Sequence, residues 1–477
     1  MGKAIGKIAI IAVAVFAPYA AAALGLSGFA ATAFSFGLQM AANMIFADKP
    51  KEGGGAGVKD SGFMVNKNGN VQPIPIIYGT RRIGGTRVYV QTTNSSGATS
   101  GTEFLHLVVA VAQGGTRSDG TDAINKINRV YFGADEVYNF DTSSFTSPYS
   151  VANTTLRCWH GKNDQTVASP DQSVGTFTIS SEWTSNHRMR GVSYVYAICK
   201  YDRDTFPGAP NIFVEIDGKR IQAVNSLGSF VNTSAEMTNP ANILYDYLTD
   251  TRYGKAIAAS DIDLTSFQTA RTWANSAGID FNCALDTADT IFNNTQKILS
   301  CANMNLCYTD GKYQVKPVKQ ESFTGAFTFT TANIIGQWTI SLGNKRNRFN
   351  KLIVNYFNPD LDWQPDSLVV ESSTFLTEDN NQENLKEIDL PLIGNKTLAT
   401  KIGTYYLNQS RHQKIVSFTA THEAIKLQVG DPILITHDVP GWTNEKYRVN
   451  SIILNADTTV QVVAEAYAPD SIYLENT

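Results

Sequence analysis

The ionisable residues of this chain do not fall into the spacings that acid–base, nucleophilic or phosphate-binding sites require. The 477-residue sequence contains no H-E-x-x-H, no G-x-S-x-G and no Walker loop. His106 lies inside an apolar run without a nucleophile or carboxylate at a suitable spacing, so a packed core histidine is predicted rather than a catalytic one. The sequence therefore predicts a protein without a catalytic centre and without a cofactor.

Two pairs of aspartates could bind a cation or act as an acid and a base. Asp202 and Asp204 resemble half of a calcium-binding loop, but the glycine and the closing glutamate of such a loop are missing. Asp261 and Asp263 precede a helical pattern and are most simply helix caps. The sequence thus predicts a solvated turn and two caps, and it predicts no metal site.

Basic residues gather in one cluster, which consists of Lys345, Arg346, Arg348 and Lys351. A solvated strand end is the favoured interpretation of this cluster, and a phosphate site is the alternative. The formal net charge of the chain is −4. Sequence-specific binding of nucleic acid is therefore not expected.

The cysteines are odd in number and form no C-x-x-C pair; they are Cys158, Cys199, Cys283, Cys301 and Cys307. Such scattered thiols indicate reduced core residues in a chain that folds in a cytoplasm.

The N-terminus contains a long uncharged stretch. After Lys3 and Lys7, no Asp, Glu, Lys, Arg or His occurs from residue 8 to residue 47. Because about twenty apolar residues in a helix cross a bilayer, one helix or a tight helical hairpin is predicted. The residues expected to insert into a membrane or to pack along an axis are Ile8, Ile10, Val13, Val15, Phe16, Leu24, Leu26, Phe29, Phe34, Phe36, Leu38, Met44 and Phe46. The small residues expected at helix–helix contacts are Ala21, Gly25, Gly28, Gly37 and Ala41.

Three interpretations of this apolar segment are open. A secretory signal would explain the basic start and the small residues near position 20, but the apolar run continues far beyond them. A permanent membrane anchor is the second interpretation. The third is an apolar segment that is held inside an assembly and released later. A flexible linker with Gly53, Gly54 and Gly55 separates the segment from the rest of the chain.

Patterns in the remaining chain predict a β-helix-β order. Residues 103–113 form an apolar run of strand length, which predicts a strand buried on both faces. Asn239 and Pro240 supply a helix start, and Asp263 can cap a second helix. A third helix is predicted within residues 291–302, and a fourth over residues 396–408.

These elements predict a β-rich α+β fold. The predicted divisions are an apolar segment at 1–48, a glycine-rich linker at 49–62, a first β-rich domain at 63–225, an α/β domain at 226–320 and a second β-rich domain at 321–477.

Several short segments, each weak alone, follow one another in a specific order. They are Pro75-Ile-Ile-Tyr-Gly79, Ile127-Asn-Arg-Val-Tyr-Phe132, Asn239-Pro-Ala-Asn-Ile-Leu-Tyr-Asp-Tyr-Leu248, Tyr308-Thr-Asp-Gly-Lys-Tyr-Gln-Val-Lys-Pro317 and Leu427-Gln-Val-Gly-Asp-Pro432. Over most of residues 70–465 this order resembles the tail hub proteins of long-tailed bacteriophages, including the tip attachment, or host-specificity, proteins of lambda-like phages. Those relatives continue into receptor-binding regions, and a hub without that C-terminal part is expected here.

The resemblance implies a structural homotrimer at the distal end of the tail tube, with tube-like β-barrel or sandwich domains around a central α/β insert. Its implied partners are a distal tail protein, the tape-measure protein, tail fibres or other tip proteins, and the host membrane during DNA ejection. The implied location is the tail tip of the virion, after synthesis in the host cytoplasm. The apolar segment would lie along the trimer axis and enter the bilayer when the tip opens.

Two other hypotheses stay open at this point. The apolar segment could be an assembly peg that is buried permanently against a partner. The chain could also be a membrane-anchored or exported bacterial surface protein, either an adhesin or an enzyme. An exported protein predicts a processed N-terminus, and an enzyme predicts activity on glycan or peptide.

Overall fold

The structure is a computed structural model that describes residues 12–13, 66–68, 72–206, 208–227, 230–231, 234–309, 311–343 and 347–476. Its strands are β1 Ala12–Val13, β2 Lys67–Asn68, β3 Ile76–Tyr78, β4 Thr80–Ile83, β5 Thr86–Thr93, β6 Phe104–Gln113, β7 Ile124–Phe132, β8 Asp135–Asn139, β9 Ser144–Phe145, β10 Thr154–Trp159, β11 Gln172–Val174, β12 Val192–Lys200, β13 Ile212–Lys219, β14 Ile221–Gln222, β15 Phe230–Val231, β16 Cys283–Leu285, β17 Met304–Thr309, β18 Lys312–Pro317, β19 Phe327–Phe329, β20 Ile334–Ser341, β21 Lys351–Asn358, β22 Gln364–Glu371, β23 Leu385–Asp389, β24 Ile415–Ala420, β25 Pro432–His437, β26 Trp442–Leu454 and β27 Val460–Ala466. Its α-helices are α1 Ser234–Met237, α2 Pro240–Thr249, α3 Leu264–Ala277, α4 Ile291–Ala302, α5 Ser373–Glu378 and α6 Lys396–Gln409. A helix with the length and apolar character to cross a membrane does not occur in the described part of the chain.

The first of three bodies is a β sandwich, called the sandwich below, which contains β2 and β4 to β13. One sheet has the order β11-β10-β12-β6-β5-β2, and the other has the order β4-β13-β7-β8-β9. In β6, Leu107 and Val109 belong to the core between the sheets, while Val108 packs with Trp159 in a second cluster. Both faces of β6 are therefore covered, and the prediction for residues 103–113 is confirmed.

His106 is fully buried in β6, as predicted. Its Nε2 lies 2.8 Å from the Thr93 hydroxyl, and its Nδ1 lies 3.0 Å from the Tyr196 hydroxyl. Burial lowers the pKa of His106 to about 4, so the ring is neutral at pH 7. Both ring nitrogens have hydrogen-bonding partners, which confirms a packed core histidine.

The second body, called the α/β body, joins helices α1 to α4 and the hairpin β17–β18 to the mixed sheet β22-β21-β23 with α5 and α6. A single buried cluster contains Leu244 of α2, Leu299 of α4, Val354 of β21 and Ile402 of α6. This cluster unites residues on both sides of position 320, where the sequence predicts a division. The domain boundaries stay predictions.

The helix starts follow from capping. The Asn239 side chain accepts hydrogen bonds from the backbone N–H groups of Ala241 and Asn242, and Pro240 is the first residue of α2. Asp263 accepts from the Thr265 N–H at the start of α3. Both predicted caps are confirmed. The prediction for Asp261 is wrong, because Asp263 already fills the cap position and Asp261 instead ends a short 3-10 helix.

The third body, called the half-barrel, is one sheet with the order β19-β25-β26-β27-β24-β20, with β1 beside β26. The sheet surrounds its own buried cluster, which includes Phe329, Phe418, Tyr447 and Val462. Its edge strand β19 pairs in parallel with β25, although more than a hundred residues separate them in sequence. The three bodies together form a β-rich α+β fold, as predicted.

The N-terminal segment was predicted to be helical, but Ala12 and Val13 form strand β1 against Ile452 and Ser451 of β26. This pairing is possible because β25 stops pairing with β26 at Arg448, which leaves the adjoining edge of β26 open to another strand. The rest of the predicted helix or hairpin lies outside the described residues.

Candidate assembly interface

The predicted site residues between Ile8 and Phe46, and the linker glycines, lie outside the described residues, apart from the backbone of Ala12 and Val13. Their roles in membrane insertion, axial packing and linkage stay predictions. Within the described chain, a group of buried charged and aromatic side chains lies where the sandwich meets the α/β body. We call this contact the sandwich interface.

Backbone pairing forms the first part of the sandwich interface. Strand β3 leads directly into β4 of the sandwich, and β16 lies between α3 and α4 of the α/β body. The two strands pair, so Tyr78 lies opposite Cys283. Directly after β3, Gly79 has a φ of +65°, and a Cβ atom there would lie 2.5 Å from the carbonyl oxygen of Phe281. The backbone of Gly79 can therefore approach α/β-body residues that any side chain would push away. The Thr80 N–H donates to the Asn282 side chain at 2.8 Å, which closes the same contact.

A buried charge network forms the second part. Asp246 of α2 accepts hydrogen bonds from the hydroxyls of Tyr78 and Tyr253, at 2.8 and 2.6 Å. Arg117 of the sandwich places a guanidinium nitrogen 3.5 Å from the other Asp246 oxygen, and both side chains are at most 9% exposed. Burial and the neighbouring Asp246 charge raise the pKa of Tyr78 well above its usual range. Both phenols therefore stay protonated and donate to the carboxylate.

Lys219, at the end of β13, is a second buried cation in this network. Its ammonium group donates to the Gly114 carbonyl at 3.0 Å and lies 4.5 Å from the centroid of the Tyr253 ring. Burial, followed by repulsion from Arg117, lowers the pKa of Lys219 to about 7. The network thus contains one fully charged guanidinium and one ammonium group that titrates near neutral pH.

Two adjacent arginines of β4 form the third part. The Arg81 guanidinium lies 3.7 Å from the centroid of the Phe357 ring and 5.0 Å from that of Trp363. Arg82 forms a 2.6 Å ion pair with Asp362 and donates to the Gly133 carbonyl at 2.9 Å. Sandwich and α/β body are therefore joined by cation–π contacts and an ion pair in addition to backbone pairing.

The turn that meets these arginines is strained. Asp362 and Trp363, between β21 and β22, have φ values of +57° and +62°. Two consecutive non-glycine residues in the left-handed region cost of order 1–3 kcal/mol each and persist only when the surroundings hold them. The contacts with Arg81 and Arg82 supply such surroundings.

A second charged cluster lies within the sandwich and was missed in the sequence. Asp122, His160 and Asp171 present ligand atoms within 4.8 Å of one another, as a metal site would. However, the Lys162 ammonium lies 3.2 Å from Asp122 and 2.7 Å from Asp171. The lysine therefore occupies the position between the carboxylates that a metal ion would need, and the arrangement is that of an ion-pair cluster.

The other residues considered in the sequence have structural roles. Asp202 accepts from the Asp204 N–H and the Thr205 hydroxyl in an exposed turn, as predicted. All five cysteines are buried free thiols, as predicted. Lys351 lies within 4 Å of two exposed glutamates, Glu371 and Glu383, whereas Lys345 and Arg346 lie outside the described residues.

Comparisons with known proteins show what the chain is similar to in sequence and in fold. The family described as "Putative phage tail protein" matches residues 293–452. The fold is shared with a chain from the virion of a native gene transfer agent particle, at a TM-score of 0.62 and 13% identity, over 90% of this chain and 91% of that chain. A 43 kDa tail protein of prophage MuSo2 from Shewanella oneidensis matches at a TM-score of 0.32 and 11% identity, over 83% of this chain and 99% of that chain. This score is too low to show a shared fold.

A curated relative with a named role is the baseplate hub protein pb3 of Escherichia phage T5. It is 24% identical over 465 residues, which cover 83% of this chain and 48% of pb3. The chain thus spans about half the length of this curated relative. The predicted resemblance to phage tail hub proteins is confirmed: the chain is similar to a baseplate hub protein over most of its length and to a phage tail protein family over residues 293–452.

Proposed function

We propose that the protein is the hub at the distal tip of a phage tail, where copies of the chain form a trimer that closes the tail tube. In this proposal it connects the tube to the tape-measure protein and the fibres, has no enzymatic activity, and opens for DNA ejection. The observation that carries the proposal is the match to a baseplate hub protein over 83% of the chain.

The sandwich interface supports this proposal physically. A hub must keep its tube-facing and outward-facing parts in a fixed orientation under load. Backbone pairing of β3 with β16, the Asp246 network and the Arg81 contacts join two bodies through groups that are buried on both sides. Truncating one member of such a buried charged network costs about 3–5 kcal/mol, so the two bodies resist separation.

Labelling on intact particles tests the location. Gold-conjugated antibodies against the purified chain are added to native particles and observed by negative-stain electron microscopy. The proposal predicts gold at the distal end of the tail. Gold along the tube, at the capsid or on detached fibres would contradict it, and a trimer in crosslinking of purified particles is the accompanying expectation.

The second part of the proposal concerns the apolar N-terminal segment and its entry into the host membrane. Its forty uncharged residues and the glycine linker behind them suit a segment that is hidden along the trimer axis and then enters the host membrane. A permanent assembly peg is the rival interpretation.

Deletion of residues 1–47 tests this half separately. We expect particles that assemble but fail to deliver DNA into cells. Normal DNA delivery would contradict membrane entry. Failure of assembly would favour the peg, and liposome binding only after triggered opening of whole particles would favour membrane entry.

A further inference from the structure

A cleft with a volume of about 640 Å³ opens where the half-barrel meets the α/β body. Its walls come from the chain segments that cross between the two bodies: Leu342 after β20, Lys414 between α6 and β24, and Tyr467 after β27. The hairpin β25–β26 adds Lys446. We call this site the half-barrel cleft.

Two lysines of the half-barrel cleft are positioned by aromatic rings. The Lys414 ammonium lies 5.0 Å from the centroid of the Trp442 ring, and the Lys446 ammonium lies 4.9 Å from that of Phe323. Within the described part of the chain, neither lysine forms an ion pair with a carboxylate. Because a ring orients an ammonium group without using its N–H donors, both cations keep their donors for another acceptor.

The remaining charges of the cleft leave it positive. Arg348 is exposed in the wall and, among the described residues, has no carboxylate within ion-pair distance. Arg411 is already compensated, because its guanidinium forms two hydrogen bonds with Asp379 at 2.9 and 2.7 Å. Glu445 is the carboxylate among the residues that line the cleft. Three cations thus face one anion.

We propose that the half-barrel cleft binds an acidic polypeptide segment, with carboxylates on Lys414 and Lys446 and an apolar side chain against Leu342. Leu342 is 69% exposed at the cleft, so its side chain is accessible to an apolar group of a bound segment. A polypeptide can supply carboxylate and apolar groups within a few residues. The identification of the segment's owner as another tail protein rests on the proposed function.

Nucleic acid fits the same cleft less well. Its phosphates repeat along its whole length and require a basic stripe, but the chain has a net charge of −4 and only a local set of cations. A bound acidic segment would touch the connections between two bodies at once, so its binding would depend on how the half-barrel sits on the α/β body.

Fluorescence anisotropy with the full chain tests this proposal. The probe is a fluorescein-labelled peptide of alternating glutamate and serine with one leucine, and its control replaces glutamate with glutamine. The test variant is K414E/K446E, and the matched control variant is K200E/K312E, whose lysines are exposed and distant in sequence from the cleft. We expect the acidic peptide to bind, and K414E/K446E to lower its affinity at least about tenfold.

K200E/K312E should bind like the unaltered chain, and K414R/K446R should retain binding because both charges remain. Equal binding of the glutamine peptide, or no loss in K414E/K446E, would overturn the proposal. Tighter binding of a single-stranded oligonucleotide through the same lysines would assign the cleft to nucleic acid instead. Failure of peptide binding would leave the gold labelling at the tail tip unaffected, so this failure is distinguishable from failure of the hub proposal.

Discussion

Charged side chains are arranged differently at the sandwich interface and at the half-barrel cleft. At the sandwich interface, the cationic groups of Arg117 and Lys219 are buried. Arg117 lies 3.5 Å from Asp246 and 3.9 Å from Asp250, and Asp246 also accepts hydrogen bonds from two tyrosine hydroxyls. At the half-barrel cleft, Lys414 and Lys446 are held by aromatic rings and no carboxylate of the described chain pairs with them. Buried, compensated charge holds two bodies together, whereas exposed, uncompensated charge is available to a partner.

The largest expected effect follows from removing the anion of the sandwich interface. Asp246→Ala removes the nearer carboxylate from the buried Arg117 guanidinium and the acceptor from the Tyr78 and Tyr253 hydroxyls. We expect the free energy of unfolding of the protein to fall by about 3–5 kcal/mol, measured by urea denaturation. Asp204→Ala, in an exposed turn, is the matched control and should change it by less than about 0.5 kcal/mol. A similar loss of unfolding free energy in both variants would show that the buried charge of Asp246 does not hold the two bodies together.

The next effect is a pH dependence due to Lys219. Its pKa is about 7 in the folded protein and 10.5 ordinarily, so between these values the unfolded chain binds more protons than the folded chain. Stability of the unaltered protein should therefore rise relative to Lys219→Met by up to about 1.4 kcal/mol per pH unit as pH increases above 7. Urea denaturation at pH 7, 8 and 9 measures this difference. The range stops below about pH 10, where the raised pKa of Tyr78 gives a slope of opposite sign.

A constant difference between the unaltered protein and Lys219→Met over this pH range would show that the ammonium group is not disfavoured by burial. That result would remove Lys219 from the buried charge network. Arg117 and Asp246 would then be the charged pair of this network, beside the backbone pairing and the arginine contacts of the interface.

A smaller effect is expected from Arg81→Leu. The substitution removes a guanidinium that is buried between the Phe357 and Trp363 rings. A desolvated cation–π contact contributes about 2 kcal/mol, and we expect a loss of that size in the free energy of unfolding. Arg203→Leu, in an exposed turn, is the control. No difference between the two variants would show that the aromatic contacts of Arg81 do not stabilise the interface.

The smallest effect on stability is expected at the half-barrel cleft. K414E/K446E changes the charge by four units, yet it should shift the free energy of unfolding by less than about 0.5 kcal/mol, because both side chains are partly or fully exposed. The midpoint of thermal unfolding at matched ionic strength measures this. A large destabilisation would mean that these lysines hold the two bodies together and are not reserved for a partner.

Local features could be predicted because short-range physics decides them. Asn239 and Pro240 start a helix through capping and a fixed φ, and Asp263 does so by accepting a backbone N–H. The apolar run around His106 required a strand that is buried on both faces, and the histidine was predicted to be a core residue. The similarity to phage tail hub proteins was also predictable, since it is visible in the order of several short segments.

Long-range features could not be predicted from the residues alone. Arg81 contacts Phe357 across more than 270 residues of sequence, and no periodic pattern encodes that pairing. Lys414 and Lys446 come from separate elements, while the basic cluster that is visible in the sequence contributes Arg348 to the cleft. Asp122 and His160 are brought together by the sandwich, and neither has a motif spacing. Such sites exist only after the chain has folded, either within one body or where two bodies pack.

Cryo-electron microscopy of the intact particle at the tail tip tests the central claim most directly. We expect density for this chain as a threefold ring that closes the end of the tube, with the N-terminal segments close to the axis. A chain that occupies the tube wall, or a single copy bound away from the tail tip, would contradict the proposal that the protein is the hub.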